Sequence, residues 1–197
     1  MLQLVTTPLI LGSHSPRRKQ LLAYLDIPFE VVVRPIDEET WDHQGESLAI
    51  ALAEKKMDQF SDLTREKIVL TADTIVYLPQ TNEIIGKPRN ATEAKAFLRK
   101  LSGNTHVVIT GVCLQYQEKR VVAEERTFVA FSPLGEEEID YYVTHYAPYD
   151  KAGGYGVQEW IGAIGVRQIR GDFYNIMGLP LHLVYSLLKR HFVEYSH

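Results

Sequence analysis

Apolar residues fall along this chain in two alternating rhythms, β-rich runs and stripes at helical spacing. Leu9, Ile10 and Leu11 form an apolar run that Gly12 ends. Ser15 and Pro16 then offer an N-cap and a first-turn residue. Leu21, Leu22 and Leu25 put an apolar stripe on the helix that follows. After a break at 26–28, the β-branched run 29–33 predicts a second strand. Residues 47–60 predict a helix carrying Leu48, Ala51, Leu52 and Ala53. Residues 68–78 are a strongly β run interrupted by one charge, Asp73, and a turn and short strand end at Ile85. Asn90, with Glu93 three residues on, predicts a capped helix running to the neighbourhood of Lys100 and stopping near Gly103. The runs 106–117 and 120–131 read as a hairpin, and 136–144 as a helix. Five glycines within 152–165 predict loop and bent strand, and 166–169 with 173–176 predict a hairpin around Arg170-Gly171-Asp172. Pro180 opens a final helix with Leu181, Val184, Leu187 and Leu188 on one face. No repeat or linker interrupts this order. It predicts a single domain over 1–197 with a mixed twisted sheet, of the α/β class or else α+β. Two lobes with no boundary in sequence are compatible with the same pattern.

Composition narrows the classes. At 197 residues, 45% hydrophobic and 23% charged, the chain has the balance of a globular protein and is neither disordered nor collagen-like nor a coiled coil. No apolar run approaches the ~20 residues of a membrane span, and the N-terminus lacks the basic flank of a signal peptide. Cys113 stands alone, so no internal disulfide can form. A cytoplasmic protein is expected. The net charge of -4 argues against broad nucleic-acid binding. Positive charge is nevertheless concentrated locally, at Arg17-Arg18-Lys19, Lys55-Lys56 and Lys87 with Arg89, and acidic charge at Asp37-Glu38-Glu39. Any one such cluster reads equally well as a solvated face.

Four segments carry residue types suited to chemistry. In Gly12-Ser13-His14-Ser15-Pro16-Arg17-Arg18 a strand ends, a short loop turns and a helix begins. Free N–H groups at a helix start favour an anion, and an arginine fork matches phosphate. The alternative is a capped helix with exposed arginines, and no Walker loop occurs. Asp73 sits inside an apolar β run, where a carboxylate is costly unless paired or metal-bound. Alternation places Thr71 and Asp73 on one strand face. Lys87 lies where a hairpin-like return would bring it back towards Asp73, though alone it reads as a loop lysine. The glycines of Asp150-Lys151-Ala152-Gly153-Gly154-Tyr155-Gly156-Val157-Gln158 fit close backbone approach to a ligand, or a flexible turn. Cys113 reads as a buried small hydrophobe, and the tyrosines at 141, 142, 146 and 149 as half-buried anchors.

In joint order and spacing these segments resemble the Maf family of nucleoside triphosphate pyrophosphatases, over nearly the whole chain from Leu9 to Leu188. The resemblance is carried by Ser13-His14-Ser15-Pro16-Arg17-Arg18, Leu52-Ala53-Glu54-Lys55-Lys56, Thr71-Ala72-Asp73-Thr74 and Gly86-Lys87-Pro88. It continues in Leu101-Ser102-Gly103, Asp150-Lys151-Ala152-Gly153 and Gly178-Leu179-Pro180-Leu181. It implies two lobes around a deep cleft, similar to inosine triphosphate pyrophosphatases. It also implies cleavage between the α and β phosphates, a divalent metal cation (Mg²⁺ or Mn²⁺) and a homodimer. Ser13, Arg17 and Arg18 would hold the phosphates, helped by Lys56 and Lys87. Asp73 would be the proton acceptor and a metal ligand, with Glu38 as a second ligand whose register against Asp37 and Glu39 is open. His14 departs from the commoner small residue between the two serines. Thr74 after Asp73 and Gln158 at the end of the glycine segment resemble the branch acting on dTTP and UTP, with Arg17, Thr74 and Gln158 setting specificity. The alternatives are a 7-methyl-GTP pyrophosphatase and a non-catalytic nucleotide-binding regulator of septum formation.

Overall fold

A computed structural model describes residues 7–35 and 45–192 of the chain. The strands are β1 (Leu9–Leu11), β2 (Phe29–Val31), β3 (Ile68–Leu78), β4 (Glu83–Ile85), β5 (Thr105–Tyr116), β6 (Lys119–Phe131) and β7 (Val166–Arg170). The helices are α1 (Pro16–Ala23), α2 (Leu48–Asp58), α3 (Ala91–Leu101), α4 (Glu136–Tyr146), α5 (Trp160–Gly165), α6 (Phe173–Ile176) and α7 (Leu181–His191). The strands hydrogen-bond in the order β2-β1-β3-β5-β6-β7, with β4 on β3. β1 runs parallel to both β2 and β3, whereas β4 and β7 pair antiparallel with β3 and β6. The sheet is therefore mixed, as the pattern predicts.

The chain divides into two compact units. The first comprises Met1–Asp73, Thr110–Glu125 and Gly178–His197, the second Thr74–Ile109 and Arg126–Met177. Three of the four divisions fall inside β3, β5 and β6, in unbroken strand sequence where no linker could mark them, and the fourth lies between α6 and α7.

In the first unit Ile10, Ala53, Met57, Phe60, Val69 and Cys113 form a core, joined by Val32, Leu63 and Val122. Two contacts seat α2. A Cβ on Gly111 would lie 2.3 Å from the Ala49 carbonyl oxygen, so only glycine lets this helix approach β5 so closely. The buried Thr71 hydroxyl donates to the Ala53 carbonyl at 2.7 Å. Cys113 is buried as expected, and that burial pushes its thiol up to about 12.

In the second unit the core is built from Val76, Leu98, Val129, Phe131, Tyr142 and Ile161 with their neighbours. His106 lies wholly inside it. Its Nε2 is 2.7 Å from the Tyr155 hydroxyl, and Tyr155 meets Phe131 edge-on at 5.1 Å. Burial lowers the imidazole to about 3, so the ring is neutral.

Two predicted elements and one predicted cap differ. Residues 160–165 are the helix α5, not bent strand. A Cβ on Gly162 would fall 1.9 Å from the Val157 carbonyl oxygen, so that glycine serves close packing rather than flexibility. Residues 173–176 form α6 instead of a hairpin strand, because the Asp172 carboxylate caps the Tyr174 and Asn175 N–H groups. At Asn90 the side chain caps Glu93 N–H at 3.0 Å, but Glu93 turns its own carboxylate to Arg89, so only half of the capping box forms. Smaller shifts trim the ends. α1 stops before Leu25, and β2 ends at Val31 rather than at 33.

Thr71→Val is expected to lower unfolding stability by about 1 kcal/mol in urea, the worth of one intramolecular hydrogen bond. An unchanged midpoint would show that packing alone seats α2. His106 makes stability pH-dependent with a defined sign. Its folded value lies below its ordinary value near ~6.5, so below that pH the unfolded chain binds the extra proton and stability falls. Between pH 6 and 4 the expected slope from this one group approaches about 1.4 kcal/mol per pH unit. His106→Gln, which keeps a polar partner for Tyr155 without a titrating ring, should flatten that limb.

Candidate active site

Strand register builds the first half of the site. In the parallel pairing of β1 with β3, Leu11 lies opposite Leu70, and Gly12 N–H donates to the Leu70 carbonyl at 2.8 Å. The loop after β1 thus leaves the sheet beside Thr71. A Cβ on Gly12 would meet the Phe60 ring and the Thr71 methyl within 2.8–2.9 Å, so the turn needs glycine for space. The loop is then tied to itself. Ser15 N–H donates to the Ser13 hydroxyl oxygen at 3.2 Å, and the Ser15 hydroxyl oxygen caps α1 by accepting from Arg18 N–H at 3.4 Å. Pro16 takes the first helical position, as predicted. Arg18 Nε donates to the Gly178 carbonyl at 2.8 Å, which anchors the start of α1 to the segment before α7. His14 is exposed, while Ser13, Arg17 and Arg18 are half-buried. This is a polar loop at a helix start with two guanidiniums, the setting in which an anion is favoured.

The second half comes from α2 and β3. Thr71 and Asp73 share a strand face, and Ala53 and Lys56 lie three residues apart on α2, so they share a helix face. Because Thr71 holds Ala53, the next strand position meets the next helix turn, and the Lys56 ammonium donates to Asp73 Oδ1. Each of these side chains is only 14% exposed. The charge that interrupts β3 therefore has a fixed cationic partner.

Lys87, Thr74 and Gln158 belong to the second unit. Val76 pairs with Ile85 at the end of the antiparallel ladder of β3 and β4, and Lys87 follows two residues beyond it. Gly86 is held there by the glycine segment, since its carbonyl accepts from Gly153 N–H at 2.9 Å. Gly153 and Gly154 have φ of 75° and 69°, the left-handed conformation that glycine tolerates. Lys87 and Gln158 are exposed. Glu38, with Asp37 and Glu39, lies outside the described residues.

Among the described residues no three His, Cys, Asp or Glu side chains gather into a metal cluster. The single carboxylate of Asp73 nonetheless suits Mg²⁺ beside a nucleotide, which is bound through one or two carboxylates with substrate phosphates and waters completing the shell.

One group escaped the sequence reading. Lys151 is buried and pairs with Glu159 at 3.2 Å and with Asp150 at 2.8 Å, and Glu159 accepts from the buried Tyr142 hydroxyl. Tyr142 is thus not one of a row of half-buried anchors, whereas Tyr141, Tyr146 and Tyr149 are exposed. Only Lys151 and Glu159, charges within an apolar and glycine-rich stretch, marked the group in sequence.

A family model described as Maf-like protein matches residues 8–191. A curated relative from Parabacteroides distasonis, named dTTP/UTP pyrophosphatase, is 46% identical over 184 residues, 92% of this chain and 94% of its own. Relatives of the same name from Porphyromonas gingivalis and Christiangramia forsetii are each 44% identical, over 92% of this chain and 92% of theirs. Among solved structures, a nucleoside-triphosphatase / dITP/XTP pyrophosphatase from Mycobacterium abscessus is 15% identical, with a TM-score of 0.43 over 65% of this chain and 76% of that one. A likeness that distant carries no weight beside the sequence relatives. The match of the family model from the strand before the phosphate-loop candidate to the end of α7, together with these relatives, makes the chain a member of the Maf family.

Proposed function

We propose that this Maf-family chain is a nucleoside triphosphate pyrophosphatase that hydrolyses dTTP and UTP to the monophosphate and pyrophosphate. The observation that carries the reading is the pair between Lys56 of α2 and Asp73 of β3, the strand beside the one that leads into the serine–arginine loop. The names of the relatives support the substrate class and favour it over 7-methyl-GTP.

In this reading Ser13, Arg17 and Arg18 hold the phosphates at the start of α1, and Lys56 and Lys87 add positive charge. These groups oppose the charge that builds on the departing pyrophosphate, the main electrostatic task in phosphoryl chemistry. Asp73 accepts a proton from the water that attacks the α-phosphorus. Lys56, on Oδ1, fixes the rotamer of that carboxylate. Asp73, with Glu38, would hold Mg²⁺ or Mn²⁺, which when bound lowers the pKa of a water. Gln158, with Arg17 and Thr74, reads the base. Thymine and uracil present acceptor, donor and acceptor along one edge, and an amide supplies both kinds of partner. Cytosine would leave a site group unpaired at a cost of ~1–3 kcal/mol. The resemblance also supports a homodimer, and the lone cysteine supports the cytoplasm as its compartment.

Asp73→Asn is expected to lower kcat by ~10²–10⁴-fold with little change in KM, as for loss of a positioned base. Retention of near-full activity would move the base elsewhere, to Glu38 first. Hydrolysis of dTTP in ¹⁸O-water should put the label in the monophosphate, read by mass spectrometry. Label in pyrophosphate, or release of a diphosphate and orthophosphate, would rule out attack at the α-phosphorus. Across a panel of triphosphates, kcat/KM should favour dTTP and UTP over CTP, ATP and GTP, and Gln158→Ala should erode that preference more than it slows turnover. A preference for 7-methyl-GTP would overturn the base assignment.

A further inference from the structure

Tyr142, Lys151 and Glu159 form a buried polar group to which the proposed chemistry gives no task. Lys151 and Glu159 have side chains only 11% and 19% exposed, and they face each other at 3.2 Å. Glu159 Oε2 accepts from the Tyr142 hydroxyl, and the Tyr142 oxygen accepts in turn from Gly156 N–H at 3.0 Å. Glu159 N–H closes the loop by donating to the Gly156 carbonyl, also at 3.0 Å. The ring of contacts runs from Gly156 through Tyr142 to Glu159 and back to Gly156, and Gln158 lies within it. Space is as restricted as bonding, because a Cβ on Gly156 would fall 2.6 Å from the Glu159 carboxyl carbon. α5 begins at the next residue, and Gly162 and Ala163 N–H donate to the Glu159 carbonyl.

Burying a lysine and a glutamate is a poor way to gain stability, since apolar side chains of the same volume often do as well or better. What a satisfied polar ring supplies is one defined geometry. Burial, then the hydrogen bond to Glu159, pushes the Tyr142 phenol above its ordinary value, so it stays a donor to the carboxylate. The exposed Gln158 side chain thus stands on a backbone turn that is pinned on both sides.

We infer that Glu159, held by Lys151 and Tyr142, is a positioning residue for Gln158 and sets how sharply the enzyme separates thymine and uracil from cytosine. This rests on the reading that Gln158 meets the base. The test is a cycle of Tyr142→Phe, Gln158→Ala and the double variant, with kcat/KM measured for dTTP and CTP. Tyr142→Phe should cut the dTTP-over-CTP ratio about tenfold, the usual scale for one misplaced polar contact, while changing kcat for dTTP less than about threefold. In the Gln158→Ala background it should add nothing. Hydrogen exchange at the Gly156 amide should speed up in Tyr142→Phe without a general rise. Should Tyr142→Phe not fold, Glu159→Gln, which keeps the shape and removes the charge, carries the same expectation. If Gln158→Ala lowers the ratio and Tyr142→Phe leaves it intact, the positioning role is wrong and the base contact stands. If Gln158→Ala itself leaves the ratio intact, the base contact is wrong and the positioning role falls with it.

Discussion

The ion pair between Lys56 and Asp73 is the constraint around which the first unit is arranged. A carboxylate in the middle of an apolar strand is costly unless a charged partner meets it. That partner must come from an element packed directly on the strand face. α2 is so packed, because Gly111 lets Ala49 close onto β5 and Thr71 binds the Ala53 carbonyl. Slipping β3 by one residue would turn Thr71 and Asp73 to the opposite face and separate both pairs at once. Exposed pairs are worth little, about 0–1 kcal/mol, but these side chains are mostly buried, and removing one partner from such a pair costs about 3–5 kcal/mol. The fold and the candidate base therefore share one set of contacts.

Each unit makes a different contribution. The first holds charge, in a loop whose glycine is required by the Phe60 ring and whose serines bond to the loop itself. The second holds shape, in a glycine segment whose left-handed Gly153 donates to the Gly86 carbonyl and whose end is pinned by Tyr142 and Glu159.

Much of this was legible from residues alone. Ser15 and Pro16 announce the start of α1, and the lone charge in β3 announces a partner, because both are local signals with a direct physical cause. Family motifs in order then named the remaining candidates. What stayed hidden depended on contacts distant in sequence. Nothing local links Arg18 to Gly178, 160 residues on, or Tyr142 to Glu159, 17 residues on. The sequence of α5 reads as loop and bent strand because glycine lowers helix propensity, whereas Gly162 lets the helix close on Val157. The sequence of α6 reads as strand because Asp172 suits a turn, whereas in the fold it caps a helix.

The claim that Lys56 and Asp73 act as one unit is open to a direct measurement. Steady-state kcat/KM for dTTP would be compared in Lys56→Met, Asp73→Asn and the double variant. Groups that act together are strongly non-additive, so the double variant is expected to be no slower than the worse single one. Losses that multiply in the double variant would mean that the two residues work independently, and that the contact between them does not organise the chemistry.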